Sequence, residues 1–370
     1  MPKILVLNAG SSSLKVALYQ EPGTQLLSQA QADSSGGSPV EALPSLLQSI
    51  GHLDEIHAVG HRVVHGGVRF RHPVRLTPEV RAAIEQLSEF APVHNPVAIA
   101  GMKGIDRILG AAIPQIAVFD TAFHASLPPA NFVYPGPYEW LEQGIRKYGF
   151  HGISHQFTSR RTAELLQADL YNFRVITCHL GSGCSLAAIR NGSSINTTMG
   201  FTPLDGLMMG SRSGSVDPGI LIYLLKDRGV TPDQLDDMLN RHSGLKGISG
   251  LSGDMREILA AINEGNPRAQ LAFDMYVDRV RSQIGVMISS LDRVDALVFT
   301  AGVGENSAPV RTAICNSLEY FGVHLDEVKN AASPVDEVIS MPGSGMRIMV
   351  VHTDEQWEIS RECGKFLGIS

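Results

Sequence analysis

Two arginines in this chain stand where a solvated surface charge is hard to explain. Arg62 lies in Gly60-His-Arg-Val-Val-His-Gly-Gly67, beside Val63 and Val64 and between glycines. Arg212 lies in Met209-Gly-Ser-Arg-Ser-Gly214, just ahead of Asp217-Pro218-Gly219. A guanidinium presents its N–H groups as a planar fork that matches carboxylate or phosphoryl oxygens. Two of them suit a clamp on an anionic substrate, with a structural ion pair as the competing role for each. Three small-residue turns point the same way: Asn8-Ala-Gly-Ser-Ser-Ser13, His179-Leu-Gly-Ser-Gly-Cys-Ser185 and Ala301-Gly-Val-Gly-Glu-Asn306. With no Cβ in the way, backbone N–H groups in such turns can converge on phosphate oxygens. A plain hairpin or helix cap would explain any one of them; three in one chain favour phosphate handling. No GxxxxGK[ST] occurs and no GxGxxG follows a strand, which disfavours a P-loop NTPase and a dinucleotide fold.

Other polar residues cluster around apolar runs. Asp120 ends the run at 116–119, where open α/β sheets collect ligands, so it is a candidate metal ligand or base; helix capping is the alternative. Glu355 stands just beyond the run at 346–351, with an ordinary first-turn helix carboxylate as its competing role. His151 and His155 are spaced i, i+4, but no acidic partner of the HExxH kind accompanies them, which argues against zinc. His151, at the expected helix entry, is read as a hydrogen-bonding group toward an anion, and His155 as structural.

The elements that must position these groups are legible as apolar runs. Strands are expected at 3–7, 14–19, 116–119, 174–178, 186–189, 296–300 and 346–351, and helices at 154–166 and 269–291. Thr77-Pro78-Glu79 and Thr231-Pro232-Asp233 each start a helix with a capping hydroxyl and proline at the first position. Residues 21–39, rich in Gly, Ser and Gln, read as an exposed excursion. The alternation of strands and helices predicts α/β architecture with mixed sheets. The segments 5–13 and 176–184 echo each other as strand, polar residue, Gly/Ser turn and second strand, and the second copy closes on Asn191-Gly192, a type I′ hairpin signal. That echo suggests two related domains.

Composition bounds the rest. The 370 residues suffice for two domains, and 44% hydrophobic with 18% charged residues is ordinary globular composition. A net charge of −7 leaves no footprint for nucleic acid or an anionic membrane. The N-terminal apolar run is too short for a signal peptide, no stretch approaches the ~18 apolar residues of a membrane span, and the four scattered cysteines form no CxxC pair. A cytoplasmic location is expected.

In order along nearly the whole chain, these motifs, with Ala91-Pro-Val-His-Asn-Pro96, Phe119–His124, Tyr148–His155, Asp254-Met-Arg256 and Thr353-Asp-Glu355, resemble the acetate kinase family (acetate/propionate kinases) of the actin/hexokinase superfamily. The resemblance implies two domains with ribonuclease-H-like cores and ATP in the cleft between them. The expected division is residues 1–122 with 358–370, carrying the first phosphate loop and part of the carboxylate site, and 123–357 for nucleotide binding and dimerisation. It implies a reversible transfer of the ATP γ-phosphate to acetate, giving acetyl phosphate and ADP, in a homodimer, with Mg²⁺ (or Mn²⁺ in its place). Arg62 and Arg212 match the family arginines that bind the carboxyl substrate and the phosphoryl group in flight, Asp120 the catalytic aspartate, and His151 the histidine that stabilises the transition state. His94 and His179 match further active-site histidines, and Asn8 and Glu355 the residues associated with Mg²⁺. Ser11, Ser13 and Lys15 fall in the first phosphate loop, and Leu180, Gly181, Ser182 and Gly183 in the second. Asp254, Met255, Arg256, Gly302, Val303, Gly304, Glu305 and Asn306 match the adenosine pocket. Val64, Val93, Phe150 and Pro203 match the alkyl pocket, where propionate-preferring relatives tend to carry Ala at the position of Val64; valine favours acetate.

The chain departs from the family pattern at Ser182, where Asn is usual, Ser215, where Asp is usual, and Gln356, where a second acidic residue often follows; its excursion at 21–39 is also shorter. Two other readings stay open: a kinase for propionate or another short-chain acid, and a non-catalytic, nucleotide-driven member of the superfamily.

Overall fold

In the computed structural model, which describes residues 1–10, 13–33, 39–92 and 94–369, the apolar runs become the centres of two sheets. The chain divides into two units, residues 1–125, 150–157 and 354–370 in the first and 126–149 and 158–353 in the second.

The first unit holds β1 (Lys3–Ala9), β2 (Ser13–Gln20), β3 (Gln25–Asp33), β4 (Ile56–Val63), β5 (Val74–Arg75) and β6 (Gln115–Phe119), ordered β3-β2-β1-β4-β6-β5. Strands β1, β4 and β6 run parallel; the β1–β2 and β2–β3 pairs and the β5 edge are antiparallel. Strand β1 alternates between two cores. Leu5 and Leu7 pack with Leu47, Ile50 and Ile105 on one face, while Ile4 and Val6 pack with Ile116, Ile359 and Cys363 on the other. Burial on both faces explains the continuous apolar run. The helix Glu355–Leu367 lies so close on β4 that a Cβ at Gly60 would come 2.7 Å from the Cys363 sulfur and 2.9 Å from Ile359.

The second unit holds β7 (Arg174–Leu180), β8 (Cys184–Arg190), β9 (Ser193–Thr197), β10 (Ala296–Thr300), β11 (Glu337–Val338) and β12 (Arg347–Val350), ordered β11-β12-β10-β7-β8-β9. Read from its other end, this is the first sheet repeated strand for strand: an antiparallel β7–β8–β9 meander, parallel β7, β10 and β12, and an antiparallel edge strand. The internal echo is therefore a duplication of topology. Asn191 and Gly192 both have positive φ, 55° and 75°, as the type I′ turn between β8 and β9 requires. Thr77 caps the helix Pro78–Gln86, and Thr231 caps Pro232–Arg241 in a full capping box.

Two expectations need correction. Residues 21–39 are not simply an exposed excursion: Gln25–Asp33 is a strand on the edge of the first sheet, and Glu21 and Thr24 are buried. Both Thr24 groups donate to one Glu21 carboxylate oxygen and Ser360 Oγ donates to the other, so a polar turn is pinned rather than solvated. Residues 301–306 are not an open turn but a short helix, Ala301–Asn306. The four cysteines are buried and free, and no helix among the described residues is long and apolar enough to cross a membrane.

Candidate active site

In the first unit, the parallel strands deliver polar residues at their carboxyl ends, where such sheets gather ligands. Asn8 comes from β1, Arg62 from β4 and Asp120 from the residue after β6. Asp120 is fixed through its backbone, its N–H donating to the Val63 carbonyl at 2.9 Å. Arg62 grips the carboxylate as a fork, with Nη2 at 2.6 Å and Nε at 3.1 Å from Oδ2. Its Nη1 donates to Asn8 Oδ1 at 3.1 Å, and Asn8 Nδ2 donates in turn to Glu355 Oε2 at 2.9 Å. The result is one chain of hydrogen bonds, Asp120–Arg62–Asn8–Glu355, with the Asn8 amide orientation set by its neighbours.

Charge in this chain is unevenly held. Burial raises the Asp120 carboxyl, Arg62 pulls it down, Glu355 pushes it up again, and it settles at about 6. Burial works against the charge of Arg62, yet Asp120 and Glu355 raise its pKa above the ordinary value. Protonation of Asp120 below that pH would remove the charge that strengthens its bonds to Arg62.

His151 has a positive φ of 55°, a strained conformation for a residue with a side chain. It precedes Gly152, whose N–H donates to the Asp120 carbonyl at 2.9 Å, and a Cβ on Gly152 would overlap that carbonyl oxygen. The backbone that follows His151 is thus fixed directly against that of Asp120. Val64 and Phe150 are buried, and the Phe150 ring lies tilted against His65, 5.5 Å between centroids. His94 caps the helix Asn95–Leu109 without a side-chain cap bond. Lys15 is exposed on β2 opposite Asn8 in the strand register, and Ser13 opens the same strand. Ser11 and Val93 lie outside the described residues.

In the second unit, Gly181–Gly183 form the β7–β8 turn, with Gly181 N–H donating to the Gly183 carbonyl at 3.0 Å. His179 and Leu180 end β7. Gly210 packs back to back with Gly253, where a Cβ on either would sit within 3 Å of the other's carbonyl, and Gly210 N–H reaches the Ser182 carbonyl at 3.2 Å. The Gly181–Gly183 turn, the Arg212 loop and the entry to the helix Met255–Asn263 are therefore brought together. Asp254 caps that helix through Arg256 N–H and also holds the Arg256 guanidinium; Met255 faces the core. Arg212 Nη1 donates to the Pro203 carbonyl at 2.7 Å, and burial lowers its pKa. Gly302, Val303 and Gly304 form the first turns of the helix after β10, and Asn306 Nδ2 donates to the Gly302 carbonyl. Glu305 braces this junction, accepting from Ala301 N–H at 2.7 Å and Thr353 N–H at 3.1 Å, with His352 at 2.6 Å. Burial would raise its pKa, but His352 and these N–H groups hold it below the ordinary value.

Sequence reasoning missed Asn95 as a positioning group: fully buried, its amide oxygen accepts from His65 N–H and its nitrogen donates to the His65 carbonyl, fixing the chain just past Arg62. The asparagine was visible in Ala91–Pro96, but nothing in its spacing marked it as buried.

The duplicated sheet, with polar side chains at the carboxyl ends of the parallel strands in each copy, defines a two-domain α/β fold of the actin/hexokinase type. Within that class the chain belongs to the acetokinase family, whose model matches residues 25–361. It is 53% identical to the acetate kinase of Gloeobacter violaceus over 99% of both chains, and 50% identical to that of Nostoc sp., again over 99% of both. The crystal structure of Porphyromonas gingivalis acetate kinase superposes with a TM-score of 0.89 at 38% identity, covering 99% of this chain and 100% of that one. A propionate kinase from Francisella tularensis superposes equally well, TM-score 0.89 at 39% identity over 98% and 99% of the two chains. Fold alone does not separate the two acids.

Proposed function

We propose that this chain transfers the γ-phosphate of ATP to acetate, reversibly, giving acetyl phosphate and ADP. The observation that carries this reading is the Arg62–Asp120 fork in the first unit, continued through Asn8 to Glu355. A carboxylate attacking a phosphate is an anion approaching an anion, so the site must neutralise charge and hold the reactants in line. The acid is already ionised at neutral pH, so no general base is required, and Asp120 orients Arg62 instead of accepting a proton. We assign Arg62 to the carboxylate, Arg212 to the phosphoryl group in transfer and His151 to the charge that develops on it. The Gly181–Gly183 turn and residues 302–306, with Asp254–Arg256, are assigned to the nucleotide. Val64 and Phe150 are assigned to the methyl group, with Val93 and Pro203.

Mg²⁺ fits the donors at hand. Among the described residues no group of three or more His, Cys, Asp or Glu could hold a metal. Mg²⁺ in phosphoryl transfer, however, is bound through one or two protein oxygens, water and phosphate. Asn8 and Glu355, whose side chains meet with Asn8 Nδ2 2.9 Å from Glu355 Oε2, are the residues that would hold it. Bound there, it would offset phosphate charge.

The test of the reading is a hydroxamate assay for acyl phosphate across acetate, propionate and butyrate, with ATP, GTP and pyrophosphate as donors. Acetate with ATP should give the highest kcat/KM, and Val64→Ala should narrow the acetate-over-propionate ratio by about tenfold, the worth of one methylene. No acyl phosphate from any pairing would overturn the reading. The pH profile gives a second check: kcat/KM should fall along an acid limb with a midpoint near 6, as Asp120 takes up a proton and loosens Arg62. A flat profile from pH 5 to 7 would remove that role of Asp120.

We also propose a homodimer. The helix Pro218–Asp227 has no buried residue, and Ile220, Ile222, Tyr223 and Leu225 all lie exposed on it. An apolar patch of this kind marks an interface. Sedimentation should give twice the chain mass for the wild type and the chain mass for Ile222→Glu; a wild type at the single-chain mass would dismiss the dimer.

A further inference from the structure

Beyond the assigned site residues, we infer that Tyr134 is a positioning residue for Arg212, acting through the loop at 200–206. The inference rests on the proposed role of Arg212 in binding substrate.

The Arg212 guanidinium is aimed by a backbone group: its Nη1 donates to the Pro203 carbonyl at 2.7 Å. The direction of the guanidinium therefore depends on where that loop sits. Tyr134 reaches it from a segment nearly 70 positions earlier, its hydroxyl accepting the Phe201 N–H at 2.9 Å. The same hydroxyl bonds Asp205, four residues further along the loop. Asp205 in turn accepts from Gly206 N–H at 2.8 Å and Ser215 Oγ at 2.5 Å, and Ser215 N–H donates to the Gly206 carbonyl at 3.0 Å. One phenol thus ties both ends of the loop that carries Pro203, and Ser215 ties that loop to the one that carries Arg212. The fit leaves no slack at Gly200, where a Cβ would overlap both the Tyr134 hydroxyl and the Asp205 carboxylate. The base of Tyr134 is anchored as well: Asn131 Nδ2 donates to the Ile195 carbonyl at 2.7 Å, and Lys147 Nζ to the Thr197 carbonyl at 2.9 Å. A serine at position 215 also suits this arrangement, since it donates to Asp205 where a second carboxylate would repel it.

Removing the hydroxyl while keeping the ring should free the loop without emptying the core. Tyr134→Phe is expected to lower kcat/KM for acetate about tenfold, the scale of a lost buried hydrogen bond, mostly through KM, with the KM for ATP within twofold of wild type. In an Arg212→Lys background the same change should cost no more than twofold, because a residue that acts through another loses its effect when that other is altered. Asp205→Ala, which cuts the network on the far side of the phenol, should give the same pattern and serves as the second variant if Tyr134→Phe fails to fold. The inference is overturned if Tyr134→Phe, with a wild-type melting temperature, leaves kcat/KM within twofold, or if its cost is undiminished beside Arg212→Lys. An equal rise in both KM values would also overturn it, as general loosening. A wild-type rate for Arg212→Lys alone would instead remove the role assigned to Arg212, which separates that failure from one confined to Tyr134.

Discussion

Arg62→Ala is expected to slow acyl-phosphate formation about a thousandfold, within the range that a charge-stabilising arginine contributes to phosphoryl transfer. It should also leave Asp120, 1% exposed, without its fork. A buried carboxylate deprived of its partner destabilises a protein by about 3–5 kcal/mol if it stays charged. Asp120 has an escape, because burial already raises its pKa to about 6 and loss of Arg62 raises it further. Over the pH interval between its unfolded and folded pKa values, the folded variant then binds more protons than the unfolded chain. Stability consequently falls as pH rises through that interval. The deficit against wild type in urea unfolding should therefore be smaller at pH 5 than at pH 8. Equal deficits at the two pH values would mean that Asp120 is stabilised by something other than Arg62. Arg62→Lys keeps the charge but loses the two-pronged geometry, and should recover stability more than rate.

Gly152→Ala is expected to cost about a hundredfold in kcat, although it adds one methyl group and touches no assigned side chain. The added Cβ would overlap the Asp120 carbonyl oxygen and sit 3.0 Å from the Phe123 Cβ. Neither neighbour is the loose end of a side chain, so the backbone must part. The Gly152 N–H bond to the Asp120 carbonyl goes with it, and the backbone of His151 shifts relative to that of Asp120. A displacement of about 1 Å is enough for a loss of that order. Overpacking should lower stability by about 1–3 kcal/mol as well. Gly285→Ala, in the helix Pro267–Ser289 with nothing within 4 Å of the new methyl, is the control and should stabilise by about 0.5–1 kcal/mol. Wild-type kcat in Gly152→Ala would show that the segment yields more easily than its packing indicates.

The parts of this fold that were legible in the sequence are those whose residues answer to one local cause. Strands β1, β7 and β10 are buried on both faces and so read as plain apolar runs. The two Thr-Pro helix starts declare themselves because a cap is a local device. Strand β4 did not read as a strand: Gly60 and His61 interrupt its apolar pattern for reasons that lie far along the chain. Gly60 makes room for the helix Glu355–Leu367, and His61, its pKa lowered to about 4 by burial, is kept neutral against Gln115. Strand β3 was hidden because it is a polar edge, pinned by the buried Glu21 turn. At the site, the residue types of Asn8, Arg62, Asp120 and Glu355 were visible as candidates. Their linkage into one hydrogen-bonded chain was not, since it joins positions separated by up to 347 residues. Asn95 and Tyr134 were invisible for a related reason: each acts by holding backbone that belongs to another segment.

That separation matters when the protein is made. The first unit draws on residues 1–125, 150–157 and 354–370, so one face of its sheet stays uncovered until residues 355–367 have left the ribosome. Until the helix Glu355–Leu367 arrives, Ile4, Val6, Ile116 and the Gly60 recess have no lid, and Asn8 lacks Glu355. The second unit, apart from its short segment at 126–149, is continuous in the chain and can close earlier. An interrupted synthesis would therefore release a product with a finished half and an exposed one, a form suited to capture by chaperones and removal by proteases rather than to partial activity.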